Sequence, residues 1–100
     1  MTTDPSFHMI VEDVFFIRNR GTVVTGKIET GTLKVGDQVV IHGRNGEKTT
    51  TVTGIEAFHK VLDQANPGDP VGILLKDISR EDIQKGDEIL SPETDFSWKP

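Results

Sequence analysis

Cysteine does not occur anywhere in the 100 residues, which excludes a disulfide framework and any thiolate metal centre. No apolar run approaches the roughly 20 residues that a membrane-spanning helix needs, so a membrane role has no support. Residues 1–7 lack both the positive region and the apolar stretch of a signal peptide, and the expectation is a cytoplasmic protein. Cationic surplus is missing too: 11 Lys and Arg against 16 Asp and Glu leave a net charge of -5, too acidic for a broad phosphate-binding field. Any contact with RNA has to be local.

The motifs of chemistry are equally scarce. There is no nucleophilic serine elbow, no HExxH helix, and no phosphate-binding glycine loop through which this chain would bind GTP. His8, His42 and His59 are scattered, and each reads as a strand-edge or surface residue rather than a catalytic group or metal ligand. The expectation is a protein that is not an enzyme, with no metal and no cofactor. Glu12 and Asp13 are adjacent and read first as a solvated corner, with a paired-carboxylate role as the alternative.

What is present is strand grammar. In Arg20-Gly21-Thr22-Val23-Val24-Thr25-Gly26-Lys27-Ile28, Val24, Gly26 and Ile28 fall on one face and Val23, Thr25 and Lys27 on the other. With Val24 and Ile28 in the core, Val23 and Thr25 face outward, and Gly26 leaves room for a crossing strand or a bend. Further strands are expected over residues 9–17 with a bulge near Glu12-Asp13, over 38–42 and 49–56 joined at Asn45-Gly46, over 70–76 with Pro70 at its start or on an edge, and over 87–90. Gly54 marks a bend, and residues 61–65 read as a strand end or a loose turn.

Gly36-Asp37, Gly68-Asp69 and Gly86-Asp87 repeat one turn signal, in which glycine takes the turn conformation and Asp accepts backbone N–H groups. One helical piece is expected near Ser79-Lys85, with Ser79 as N-cap, Asp82 three residues on, and Ile78 and Ile83 as a hydrophobic staple. Frequent turns with one minor helix favour an all-β fold, a single closed antiparallel barrel over residues 7–92 between tails at 1–6 and 93–100.

Val11-Glu12-Asp13-Val14-Phe15, the Arg20–Gly26 block, Leu33-Lys34-Val35-Gly36-Asp37, Thr53-Gly54-Ile55-Glu56-Ala57-Phe58, residues 67–75 and Ile83-Gln84-Lys85-Gly86-Asp87 together resemble the second domain of bacterial elongation factor Tu. The resemblance spans residues 7–92 and implies the β-barrel of translational GTPases and a role in protein biosynthesis. It further implies RNA binding at the aminoacylated end of tRNA. Val23, Glu56 and Leu74 match the pocket for the terminal adenosine, and Glu12, Asp13, Phe15 and Thr25 match the aminoacyl side.

Two positions depart from the family pattern: His59 stands where the family has arginine, and Pro70 where it has asparagine. An imidazole cannot make the forked contact of a guanidinium, and proline offers no side-chain amide. Two functions follow as expectations. One is a non-enzymatic binding module for an aminoacylated RNA end, weak by itself because the family's GTPase domain supplies the other wall of the pocket. The alternative is a protein-docking barrel that meets a GTPase or ribosomal component through the same face or through Phe96 and Trp98.

Overall fold

In the computed structural model, which describes residues 6–44 and 46–92, ten strands form: β1 (His8–Ile10), β2 (Asp13–Ile17), β3 (Gly21–Thr30), β4 (Leu33–Lys34), β5 (Gln38–Gly43), β6 (Gly46–Ala57), β7 (Lys60–Leu62), β8 (Gln64–Ala65), β9 (Pro70–Leu75) and β10 (Glu88–Leu90). Six of them close a barrel in the order β1-β10-β5-β6-β9-β3, and β3 returns to β1. Every pairing is antiparallel. Closure removes most of the exposed edges that an open sheet of this length would carry. β2 extends the sheet beyond β3, β7 flanks β6, and β4 with β8 makes a small separate pair. The expected signals at residues 1–5, at Asn45 and at Phe96 and Trp98 lie outside the described residues.

The alternation read over residues 20–28 sets the core. Thr22, Val24, Gly26 and Ile28 of β3 are buried, while Val23 and Thr25 are half-covered and Lys27 is exposed. Val24 and Ile28 join Met9, Val39, Ile41, Val52, Ile55, Ile73 and Ile89 inside, one or two residues from each barrel strand. Gly26 is where β1 crosses β3. A Cβ there would run into the Ile10 carbonyl oxygen and lie 3.0 Å from Met9 Cε, so the closing strand requires the missing side chain.

The stretch expected as one strand from 9 to 17 is two. Val11 turns into the core and spans to the last turn, donating to Asp87 O at 2.9 Å while its own carbonyl accepts from Gly86 N. Glu12 then donates to Thr25 O at 2.8 Å, and β2 starts afresh on the outer side of β3. The bulge expected at Glu12-Asp13 is therefore a change of partner. The bend at Gly54 is a register shift in the β6–β9 pairing between Val52 and Gly54.

The helix expected near Ser79-Lys85 does not form, and no helix occurs among the described residues. Its signals are used otherwise. Asp82 accepts from Ser79 N at 2.9 Å and returns its own N–H to Ser79 O at 3.0 Å, which closes one tight turn. Gln84 and Asp87 make the same reciprocal pair immediately afterwards, with Gly86 at φ 95° between them. Only Ile83 separates the turns, too little chain to repay helix nucleation, and Ile78 and Ile83 both enter the core instead of stapling a helix.

The same device recurs at Lys34/Asp37 and Asn66/Asp69, each with the Asp carboxylate 2.9 Å from the N–H three residues back. Gly36 and Gly68 take φ 98° and 92° there, the third position of a type II turn, which glycine fills without strain. The repeated Gly-Asp signal is thus a set of locked turns, and the Ser79–Asp82 turn is a fourth that dispenses with glycine.

Candidate functional site

Cross-strand register decides which outward side chains meet. Phe15, Val23 and Leu74 stand in one row across β2, β3 and β9, with Gly54 of β6 at its end. The next row holds Asp13, Thr25, Gly72, Glu56 and Val61 across β2, β3, β9, β6 and β7. Direct partners in an antiparallel sheet share a face, so these residues form one continuous surface about five strands wide. Val23 and Leu74 are therefore direct partners on the outside of the barrel, and Glu56 stands in the adjacent row on the next strand, β6.

Exposure along this surface is uneven. Leu74 is only 9% exposed although it lies outside the core cluster, because it leans over Gly54, whose ideal Cβ position is 3.4 Å from Leu74 Cδ1. Gly72 similarly leaves a gap beside Val23 and Thr25, with Val23 Cγ1 3.5 Å and Thr25 Cγ2 3.9 Å from where its Cβ would stand. The two glycines make a shallow apolar floor, walled by Val23 and Leu74. Phe15 rises at one rim, half exposed.

Beside this floor is a cleft of about 280 Å³ lined by Glu12, Thr25, Glu56, Phe58, Pro70 and Gly72, among others. It brings together residues far apart in the chain: Glu12 from the link before β2, Thr25 from β3, Glu56 from β6, and Pro70 from the start of β9. Asp13 and Phe15 sit on β2 beside the cleft rather than in its lining. His59 is at the tip of the β6–β7 hairpin and exposed.

That hairpin has its own peculiarity. Ala57 pairs with Lys60, so Phe58 and His59 are its two-residue loop, and both adopt positive φ, 53° and 66°. This is the loop geometry that matches strand twist, but Asn and Gly are the residues that take it without strain. A bulky Phe held there is 78% exposed at the cleft rim, next to Val61 at 80%.

Glu56 does not stand alone. Arg20 donates from Nη2 to Glu56 Oε2, tying the β2–β3 turn to β6 across 36 residues. Sequence reasoning placed Arg20 in the stretch over residues 20–28 but passed over it as a site residue, as it did Gly54, Gly72 and Phe58. A contact across that separation leaves no periodic trace.

The pattern of residues 21–90 matches the family model described as Elongation factor Tu domain 2. The chain belongs to that family. Elongation factor Tu domain 2 is a barrel module of translational GTPases, and the closed antiparallel barrel agrees with it. The matched span contains Val23, Thr25, Glu56, His59, Pro70 and Leu74, whereas Glu12, Asp13 and Phe15 precede it. The structure thus adds the β2 residues to the same face by register, independently of the family match.

Proposed function

We propose that this face binds the aminoacylated end of an RNA without performing chemistry on it, in the cytoplasm. The observation that carries the reading is the grouping of Val23, Leu74 and Glu56 on adjacent outward strands next to the cleft of Glu12 and Thr25. Two branched aliphatic walls over a glycine floor suit the flat face of a nucleobase, and a carboxylate accepts from a sugar hydroxyl. Recognition of a single terminal nucleoside needs few cations, which is compatible with a net charge of -5. No helix among the described residues is long and apolar enough to cross a membrane.

An open face with one wall binds weakly, and a dissociation constant of about 1 mM is expected for the isolated barrel. The test is a titration of labelled protein with a short aminoacylated RNA, followed by amide NMR shifts. Shifts at Val23, Glu56, Gly72 and Leu74, reduced by E56Q, support the reading; shifts confined to other strands overturn it. A protein-docking reading is favoured by one observation, the exposed apolar triplet Phe15, Phe58 and Val61 around the same cleft. Binding of a GTPase or ribosomal protein that F58A and V61A abolish, with no response to RNA, would decide for it.

A further inference from the structure

We infer that Arg20 is a positioning residue, which holds the Glu56 carboxylate so that one oxygen is engaged and the other is presented to a ligand hydroxyl. The inference rests on the reading of this face as an RNA-end site. Arg20 Nη2 occupies Glu56 Oε2, and among the described residues Oε1 has no hydrogen-bond partner. A lone glutamate on a strand samples several rotamers, and fixing one of its oxygens limits where the other can be. The arginine is itself constrained. Its N–H donates to Ile17 O at 3.0 Å, and it sits between Asn19 at φ 70° and Gly21 at φ 104°, so the turn sets the direction in which the guanidinium leaves the backbone.

The pair also touches two hollows. Glu56 lines the cleft with Glu12 and Thr25, while Arg20 lines a second groove, of about 610 Å³, together with Thr22, Thr53 and Lys76. The ion pair links the linings of the two. With side chains 45% and 38% exposed, it is too wet to be a structural strut, since exposed pairs of this kind contribute little to stability. Its effect therefore lies in geometry at the cleft, where the ligand meets an already oriented acceptor instead of ordering one.

The experiment compares adenosine with 2′,3′-dideoxyadenosine by amide NMR titration on the wild type, R20Q, R20K and K76Q. Lys76 lines the same groove, so K76Q removes an equal charge without touching Glu56. The wild type is expected to prefer adenosine by about fivefold, a modest hydrogen-bond effect. R20Q should bring that preference below about twofold while the shifts at Val23 and Leu74 persist, R20K should recover part of it, and K76Q should leave it unchanged. A preference retained in R20Q, or loss of both nucleosides in R20Q, overturns the positioning role alone. Absence of any shift on the Val23 face in the wild type removes the RNA-end reading and the inference with it.

Discussion

At the scale of single residues, the positions that matter most are those where a side chain is missing. Gly26 lets β1 cross β3, and a methyl group there meets a backbone oxygen that cannot retreat without opening the β1–β3 pairing. G26A is accordingly expected to destabilise by about 2–3 kcal/mol, the upper range for overpacking. Thermal unfolding should show a fall in Tm of roughly 10–20 °C. At Gly54 the nearest atom is the end of the Leu74 side chain, at ordinary contact distance, so the same change there should cost far less. The room needed at Gly26 was legible from strand alternation alone. The pairing of Arg20 with Glu56 was not, because register across β3, β9 and β6 is set by the closed sheet and has no local signature.

At the scale of elements, the four aspartate turns show how a short motif can be read correctly in one place and wrongly in another. Gly-Asp announced three of them. The fourth carried Ser79, Asp82 and two isoleucines spaced as a hydrophobic staple, and burial of both isoleucines decided for a turn. Local hydrogen bonds at a capping signature satisfy the same donors whether or not a helix follows. The Ser79 N–H and then Lys48, whose Nζ is 3.2 Å from Oδ2, hold the Asp82 carboxyl below its ordinary value of 3.8. A depressed carboxyl stabilises the fold above its unfolded pKa and loses that contribution as pH falls through the folded value. D82N should therefore flatten the loss of stability below about pH 4, seen as a smaller drop in Tm between pH 4 and pH 2.5. Asp87 is the most covered of the four, with its carboxylate against Gly43. D87A is expected to cost about 1–3 kcal/mol by stranding the Gln84 N–H, more than D37A at its exposed turn, as measured by urea denaturation.

For the whole molecule, the barrel depends on β1, three residues that pair with β10 on one side and β3 on the other. Met9 at its centre is fully buried, and M9A is expected to cost about 2–5 kcal/mol. A chain of this size has a total stability of about 5–15 kcal/mol, so that one truncation takes a large share of it. Native-state hydrogen exchange checks the assignment: amides of β3 and β10 should lose protection together in M9A, whereas those of the β6–β7 hairpin should change little. The sequence made the all-β class and the closed barrel legible, since turn signals and alternation recur at short intervals. The outer face was only half legible: alternation told which residues point outward, and closure alone told which of them are neighbours.

Phe7 and Ser91 are joined by two hydrogen bonds of 3.1 Å, one from each backbone N–H. The chain on the N-terminal side of β1 and the chain on the C-terminal side of β10 are thus held together at one spot. A partner domain fused at either end is therefore expected to attach at a single doorway beside β1 and β10 and to leave the staves of the barrel joined.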